Sequence, residues 1–388
     1  MKIKEKIKKF PASAILKVAY RAALIVLCLG CAFWTLSAVA LGGNVSRQSS
    51  QSGSTNMAIM ERYDMAITNQ LSASMEGLLS IDKVYWLRDE DVVAPKPNQE
   101  LFGKTTNPND ITAVVEQAKD LLDGQSVLFS PDRNFIPDST IHYYLDDTIM
   151  VLVWQEVYQG SLYTISEIKL AHPSQFRRFF AGNEYGHNKQ YLTTEMSSQV
   201  NAVMASSGDF YMYRANGLVV YNGIVEKLDW SNNIETCFID DNGDMSFVRK
   251  GQLTTKESAQ QYVDEHNIRF SISFGPILVE NGVKQNPNWY TLGEIYEPYP
   301  RAALCQAGDL HYYVITSNSK WPYDAFHNIY TFNDYVAATG CDMAYTLDGG
   351  QTATIAMNHE HINPVQYGSQ RRISDIFYFA TAIPDGGK

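Results

Sequence analysis

The stretch 345–354 contains the residue types best suited to chemistry in this sequence. Asp348 supplies a carboxylate, and Gly349 and Gly350 follow it directly. Because glycine has no Cβ, backbone N–H groups at these positions can approach a ligand closely or form an anion-binding nest. Thr352 adds a hydroxyl. The pattern therefore predicts a binding or catalytic loop, with an ordinary tight Asp-Gly turn as the alternative.

The elements before this loop are predicted to position Asp348. Thr331 and Asp334 resemble a capping box at the start of a helix over 332–339. The apolar run 343–347 then predicts a short buried strand. A carboxylate placed directly after such a strand lies at the edge of a sheet, so we expect the Asp348 side chain to face a cleft.

The N-terminus predicts export from the cytoplasm. Seven Lys and Arg residues precede an uncharged run at 22–42 that is long enough to cross a bilayer as a helix. By the positive-inside rule, segment 1–21 stays in the cytoplasm and the rest lies outside, giving a single-pass protein of the cell membrane. The alternative is a secreted protein, because Ala38-Val39-Ala40 has the form of a signal-peptide cleavage site.

Charge and cysteine content restrict the partners and cofactors. The 388-residue chain has a formal net charge of −11, and the basic N-terminal segment leaves the remainder more acidic still. Such a surface repels nucleic acid, so we expect no nucleic-acid partner. Cys237, Cys305 and Cys341 show no paired spacing, which argues against a disulfide framework or a structural zinc site. No cofactor is indicated, although a divalent cation stays open.

Changes in composition divide the chain into segments. Segment 43–56 is rich in Ser, Gln and Gly and predicts a flexible spacer. Segment 57–138 predicts a helical stalk or N-terminal extension, since apolar residues recur at three- and four-residue steps in its first part. Self-association through 57–80 is one interpretation of this stripe, and packing against its own domain is the other. Segment 139–388 is predicted to be the catalytic domain.

The fold class predicted for this catalytic domain is α+β, a strand-rich mixed sheet with flanking helices, preceded by the transmembrane helix. Asn-Gly pairs indicate hairpin turns between alternating segments. The predicted strands are 149–157, 163–170 and 343–347, the helices are 110–123, 174–180, 193–204, 258–266 and 332–339, and the turns start at Asn216, Asn222, Asn242 and Asn281.

Three further stretches place a polar or charged residue beside Gly or Pro at a predicted strand end. They are Ser-Gly-Asp-Phe-Tyr at 207–211, Ser-Phe-Gly-Pro-Ile-Leu-Val at 273–279 and Pro-Arg-Ala-Ala-Leu at 300–304. Together with Leu-Asp-Gly-Gly at 347–350 and the closing Arg-Arg-Ile-Ser-Asp at 371–375, they resemble the phosphodiester glycosidase family in type and order. The resemblance extends from about Ile141 to Phe379.

The resemblance implies an exported hydrolase that cleaves sugar-1-phosphodiester linkages in cell-surface or extracellular glycans, as bacterial members associated with exopolysaccharide would. Cleavage at the anomeric carbon develops cationic character, which a carboxylate stabilises or attacks. Asp348 is the first candidate for nucleophile or base, with Asp209 as its partner. Arg301 is the candidate for binding phosphate, because a guanidinium can hold two oxygens at once. The implied substrate-binding residues are Ser207, Gly208, Ser273, Gly275, Gly349, Gly350 and Thr352.

The sequence also departs from the family pattern. Ser207 stands where the family has Asn, Ala302 replaces Thr, and Gln351 replaces a third Gly. These departures leave open a non-catalytic alternative, a glycan-binding or exopolysaccharide-assembly protein that keeps the fold. Release of free sugar from a sugar-1-phosphodiester would discriminate the two.

Overall fold

The computed structural model describes residues 93–382 except 134, 187, 210, 215–216, 230–233 and 288–295. The predicted transmembrane helix at 22–42, the spacer at 43–56 and the first part of the predicted stalk lie outside these residues. Within the described part, no helix is both long and apolar enough to cross a membrane.

Strands dominate the described residues. The first eleven are β1 Phe102–Thr105, β2 Ile141–Leu145, β3 Ile149–Tyr158, β4 Ser161–Leu170, β5 Phe176–Phe180, β6 Met204–Ser207, β7 Gly217–Tyr221, β8 Ile224–Asp229, β9 Thr236–Asp240, β10 Met245–Val248 and β11 Ile268–Ile272. The others are β12 Ile277–Glu280, β13 Val283–Lys284, β14 Arg301–Gly308, β15 His311–Asn318, β16 Met343–Leu347, β17 Ile355–Met357, β18 Glu360–His361 and β19 Asp375–Phe379.

These strands form four sheets. The largest has nine strands in the order β1-β2-β3-β4-β15-β14-β16-β12-β13. A five-stranded sheet has the order β18-β17-β6-β19-β5, a three-stranded sheet the order β10-β9-β11, and β7 pairs with β8. The strand-rich α+β prediction is confirmed. The prediction of a mixed sheet was wrong, because all pairs between the described strands are antiparallel.

Both faces of the central strands of the nine-stranded sheet are largely buried. One face packs against the five- and three-stranded sheets, in a cluster that includes Leu304, Phe377 and Ile239. The other face packs against helices, in a cluster that includes Trp154 and Phe332. Burial on both faces explains why all ten residues of β4 are buried, including the polar Thr164, Glu167 and Lys169.

Among the described residues, the α-helices are few and short. They are α1 Pro108–Gln117, α2 Lys119–Leu122, α3 Thr193–Gln199, α4 Lys256–Glu265 and α5 Ile329–Ala337. Helix α3 ends earlier than the predicted 193–204, because Asn201 takes a left-handed conformation (φ 54°) and the chain enters β6. Helix α5 begins earlier than predicted. The side chain of Asn328 accepts hydrogen bonds from the N–H groups of Tyr330 and Thr331, so Thr331 is not the cap.

The helix predicted at 174–180 was wrong. A short 3-10 turn at Pro173–Gln175 leads directly into β5, which pairs with β19. All five residues of β5 are buried, including Arg177 and Arg178. Adjacent strand side chains point to opposite faces, so both faces of β5 are covered, and the sequence lacks the simple alternation that marks a half-exposed strand.

Residues before 139 pack as part of the same body as those after it. Strand β1 pairs with β2, and α1 and α2 contribute Ile111 and Leu122 to the core. The buried carboxylate of Glu167 on β4 accepts hydrogen bonds from the N–H groups of Leu128 (2.6 Å) and Phe129 (3.1 Å). The predicted boundary at 139 is therefore not a break in packing.

Removing this segment should prevent stable folding. A chain that begins at Ser130 lacks β1, α1 and α2 and leaves Glu167 buried without its two N–H donors, which is strongly unfavourable. We expect a chain that begins at Val93 to unfold in one cooperative urea transition, and the chain that begins at Ser130 to aggregate or to lose that transition. Equal transition midpoints for the two proteins would contradict this expectation.

The hairpin turns follow the sequence closely. Asn222 and Asn281 both have left-handed φ values (49° and 52°), and each is followed by a glycine that is also left-handed. This is the conformation that Asn-Gly favours in two-residue hairpins. Asn242 lies in the turn between β9 and β10 as predicted. Asn216 lies outside the described residues.

Charged pairs lie at both edges of the nine-stranded sheet. At one edge, Lys104 of β1 forms an ion pair with Glu360 of β18 (2.8 Å). At the other edge, Lys284 of the two-residue strand β13 forms an ion pair with Asp334 of α5. Each pair thus ties an edge strand to another element of the structure.

Candidate active site

Strand β16 spans the predicted residues 343–347 and delivers Asp348 at its end. Gly349 packs closely against the segment just before β14, and a Cβ at this position would collide with the Pro300 carbonyl oxygen. Gly350 is left-handed (φ 64°), and its N–H donates to the same oxygen (3.0 Å). Thr352 Oγ1 donates to the Gly349 carbonyl (2.7 Å). The two glycines and Thr352 therefore fix the loop that carries Asp348.

Asp348 pairs with an arginine that the sequence did not single out. Its Oδ2 atom accepts a hydrogen bond from Arg371 Nη2 (2.9 Å), and 18% of the Asp348 side chain stays exposed against 41% for Arg371. The Arg371 guanidinium also lies 5.3 Å from the centre of the exposed Tyr213 ring. A carboxylate and a permanently charged guanidinium thus meet at an open position.

The environment of Asp348 favours its protonated form. Burial raises the pKa of Asp348 to about 6, and the negative charge of Asp209 adds to the rise. The positive charge of Arg371 and hydrogen bonds from Thr352 and the Gly349 backbone oppose it. A carboxyl group with this pKa changes its protonation state close to neutral pH, as a general acid or base needs to do.

Asp209 is buried, and both of its carboxylate oxygens accept hydrogen bonds from protein donors. Arg214 donates to both carboxylate oxygens, with Nη2 at 2.8 Å from Oδ1 and 2.7 Å from Oδ2. The backbone N–H of Ser273 donates to Oδ2 (3.0 Å). The Asp209 side chain has no solvent exposure. The structure brings Asp209 near Asp348 but directs its oxygens to protein donors.

A second buried pair lies next to Asp209. Arg178 Nε donates to Asp375 Oδ2 (2.9 Å), and both side chains are fully buried. Both Asp375 oxygens accept from the Asp209 N–H (3.1 and 3.0 Å). Gly208 lies so close to Asp375 that a Cβ would collide with the carboxylate. The absence of a side chain at Gly208 therefore serves this internal contact.

Ser273 and Gly275 support the same cluster. Ser273 Oγ donates to the Leu218 carbonyl (2.6 Å) and lies 2.6 Å from Thr236 Oγ1. Gly275 is left-handed (φ 75°), and its N–H donates to the Thr346 carbonyl of β16 (3.2 Å). Both residues are buried. They connect the loop after β11 to the strand that carries Asp348.

Ser207 differs from the other predicted substrate-binding residues. It is the last residue of β6 and is 2% exposed. Within the described part of the chain, its Oγ atom makes no hydrogen bond. A buried hydroxyl left unpaired is uncommon, and it lies one residue from Gly208 and two from Asp209.

Arg301 lies across from Asp348 in the sheet, and its guanidinium donates a hydrogen bond to a backbone carbonyl. Strand register pairs Ala302 with Leu347, which places Arg301 across from Asp348. The guanidinium donates through Nη2 to the Glu297 carbonyl oxygen. Burial lowers the pKa of Arg301 to about 10, so it stays charged near neutral pH. Arg371 is an arginine that donates a hydrogen bond to Asp348.

Sequence reasoning missed the roles of Arg178, Arg214, Arg371 and Asp375. A signal for Arg178 was present, since two arginines within Phe-Arg-Arg-Phe-Phe must find buried carboxylates if the segment is a strand. Arg371 and Asp375 are the first and last residues of the closing Arg-Arg-Ile-Ser-Asp motif. Across the described residues, no group of three or more His, Cys, Asp or Glu side chains is arranged to hold a metal ion.

A model of the family described as phosphodiester glycosidase matches residues 200–380. The predicted resemblance to the phosphodiester glycosidase family is confirmed. The matched segment contains Asp209, Ser273, Arg301, Asp348 and Asp375. It starts later than the sequence resemblance suggested, so β1 to β5 lie before it.

Similar proteins include both a sequence relative and solved structures. The SPbeta prophage-derived uncharacterized protein YomE of Bacillus subtilis (strain 168) is 23% identical over 199 residues, which cover 49% of this chain and 30% of that protein. The chain thus spans about a third of this relative's length.

Several solved structures also match. The catalytic domain of zebrafish N-acetylglucosamine-1-phosphodiester alpha-N-acetylglucosaminidase, auto-inhibited by its pro-peptide, has a TM-score of 0.48 at 14% identity, with 60% of this chain and 83% of that chain covered. A hypothetical protein from Synechocystis has a TM-score of 0.43 at 10% identity, with 60% and 62% covered.

Proposed function

We propose that this phosphodiester glycosidase-like chain hydrolyses sugar-1-phosphodiester linkages at Asp348. The observation that carries the proposal is the contrast among the three carboxylates of the site. The Asp209 and Asp375 side chains have no exposure and are bound by buried arginines, whereas Asp348 keeps 18% exposure at an open position. Asp348 is therefore the carboxylate that a substrate can reach.

Each charged group then has a distinct task. Ionised Asp348 attacks or stabilises the anomeric carbon as cationic character develops there. Arg371 binds the phosphate, because its charge is permanent and 41% of its side chain is exposed. The leaving phosphate monoester carries away the electron pair of the C–O bond. Water supplies the hydroxyl that ends on the sugar, and its other proton goes to the phosphate monoester. Asp209 is a positioning residue that acts through Arg214 and Ser273. Arg301 orders the neighbouring strand end.

The bond that breaks distinguishes this reaction from simple phosphodiester cleavage. We expect the protein to release free sugar from the methyl diester of N-acetylglucosamine-1-phosphate. In water labelled with ¹⁸O, the label should appear on the anomeric carbon of the sugar and not on phosphate. Mass spectrometry of both products reads this directly, and bis(p-nitrophenyl) phosphate, which contains no sugar, should not be cleaved.

Label on phosphate would overturn the glycosidase assignment. Binding without hydrolysis, across the corresponding glucose and mannose diesters as well, would favour the non-catalytic glycan-binding alternative.

We also propose that the reaction takes place outside the cytoplasm, on a cell-surface or extracellular glycan. The support is the basic segment 1–21 followed by the uncharged run 22–42. The full chain should then fractionate with membranes and be digested by protease added outside intact cells. Protection from that protease in intact cells would contradict the proposed orientation.

A further inference from the structure

A second cleft lies on the nine-stranded sheet, away from the Asp348 loop. It has a volume of about 500 Å³ and is open to solvent. Its walls come from β3, β4 and the segments around 137–142 and 320–323, and they include Gln155, Thr164, Lys320, Trp321 and Tyr323. We call it the Trp321 cleft. Neither Asp348 nor any other residue of the candidate active site lines it.

Trp321 is held in an exposed position. The residue is 83% exposed, although Trp is rarely left so open. The turn that carries it is closed by two hydrogen bonds, from Lys320 N to Tyr323 O (2.8 Å) and from Tyr323 N to Lys320 O (2.6 Å). Ala325 N donates to Gly160 O (3.1 Å), which fastens the segment to the β3–β4 hairpin. The backbone of this turn therefore places the indole at the cleft.

The cleft also has polar groups that suit a ligand rich in hydroxyls. Thr164 on its floor is 1% exposed, and within the described residues its Oγ atom makes no hydrogen bond. Asp138 and Lys320 at the rim are exposed and of opposite charge. His142 also lines the cleft and contributes an imidazole ring. A few polar groups beside an aromatic surface are the usual composition of a small-molecule site.

The sheet connects this cleft to the Asp348 loop. Leu162, which lines the cleft, pairs with Asn318, and β15 in turn pairs with β14, the neighbour of β16. Three strand spacings separate β4 from β16, about 14 Å. Asn318 lies along this route, and neither amide atom of its buried side chain is hydrogen-bonded among the described residues.

A second connection runs through the chain after β17. Ile362 lines the cleft, and a few residues later Gln366 lies against Gly350, with its Oε1 atom 3.1 Å from where a Gly350 Cβ would be. Tyr367, next to it, is 81% exposed. Exposed aromatic residues thus occur both at the cleft and beside the Asp348 loop.

From these observations we propose that the Trp321 cleft binds sugar units of a glycan chain whose reacting phosphodiester lies at Asp348. The inference rests on the proposed function and adds that the substrate is an oligosaccharide or polysaccharide rather than a single sugar. A sugar ring has an apolar face that stacks on the indole and hydroxyls at its edge that bond to the polar groups of the cleft.

The first test is direct binding to the full chain, measured by calorimetry with hexamers of N-acetylglucosamine, glucose and mannose. We expect at least one hexamer to bind. Trp321→Ala should weaken that binding about tenfold or more, as truncation of a central aromatic residue does. Trp321→Phe should keep part of the affinity. Ile224→Ala is the matched control, because Ile224 is 56% exposed and does not line the cleft.

The second test compares substrates of two lengths. Trp321→Ala should leave kcat and KM for the methyl diester of N-acetylglucosamine-1-phosphate unchanged. For a phosphodiester that carries the bound hexamer, the same substitution should raise KM about tenfold with little change in kcat. This split would not arise from general damage to the fold, which would affect both substrates.

The outcomes separate the inference from the proposed function. Hydrolysis of the methyl diester without binding of any hexamer, or with binding that is indifferent to Trp321→Ala, overturns the cleft as a glycan site and leaves the function standing. Hexamer binding that depends on Trp321 in a protein that hydrolyses no diester supports the cleft and overturns the proposed hydrolysis.

Discussion

Replacement of Asp348 by Asn should lower kcat by about 10² to 10³, the scale expected for loss of a preorganised electrostatic or acid–base group. The amide keeps the shape of the side chain but removes the charge that the reaction needs. Stability should not fall, because burial disfavours ionised Asp348 in the folded protein and the neutral amide carries no such penalty. Steady-state kinetics and urea unfolding on the same protein test both statements.

The matched control is Asp342→Asn. Asp342 lies just before the other end of β16 and is exposed, so its neutralisation should change neither kcat nor stability. A folded Asp348→Asn protein with nearly normal turnover would remove Asp348 from the mechanism.

The pH dependence should carry the same signature. Because Asp348 acts in its ionised form, kcat/KM of the wild-type protein should rise through a pKa of about 6, and this inflection should be absent from Asp348→Asn. Stability changes in the opposite direction. The pKa of Asp348 is about 6 in the folded protein and near 3.8 in the unfolded chain, so the folded protein holds this proton more tightly. The contribution of Asp348 to stability therefore falls as pH rises from about 4 to about 6.

Replacement of Arg178 by Met should lower the free energy of unfolding by about 3–5 kcal/mol. Arg178 is fully buried, pairs with Asp375 and lies 3.6 Å from Asp209 Oδ2. Without it, Asp375 is left as a buried carboxylate lacking its cationic partner. Since a typical domain is stable by only about 5–15 kcal/mol, the variant should unfold at a much lower urea concentration than the wild type.

Arg372→Met is the matched control for this change. Arg372 forms an ion pair with Glu195 in which the side chains are 53% and 39% exposed, and exposed pairs contribute about 0–1 kcal/mol. The loss of stability in Arg178→Met should become smaller at acid pH. Burial already raises the pKa of Asp375, and protonation of this carboxylate removes the unpaired charge. An equal shift of the urea midpoint for both variants would contradict the structural role of Arg178.

Features that depend on neighbouring residues were predictable from the sequence. The strand 343–347 and the hairpin turns at Asn222 and Asn281 match the structure, because a short apolar run and the Asn-Gly conformation are local properties. The position of Asp348 at a strand end followed from the same reasoning. The antiparallel order of the nine strands could not be predicted in this way, because β4 pairs with β15 across more than a hundred residues of chain.

The candidate site shows the same limit. Sequence placed Asp209 and Asp348 in one site, and the structure brings them close enough for the charge of one to shift the pKa of the other. The different roles of the two carboxylates depend on Arg214, which donates to Asp209, and on Arg371, which donates to Asp348. Such choices among several arginines are made by three-dimensional packing and leave no spacing pattern in the sequence.

The charged pairs at the sheet edges bear on colloidal behaviour. Among the described residues, the nine-stranded sheet ends in two outer strands, and the outer edge of such a strand can template the addition of strands from other molecules. Here one outer strand has four residues and the other two, and Lys104 and Lys284 are tied to carboxylates on other elements. Short outer strands with anchored charges disfavour that addition, so the described part of the chain should stay dispersed at concentrations where a longer, uncharged edge would seed fibres.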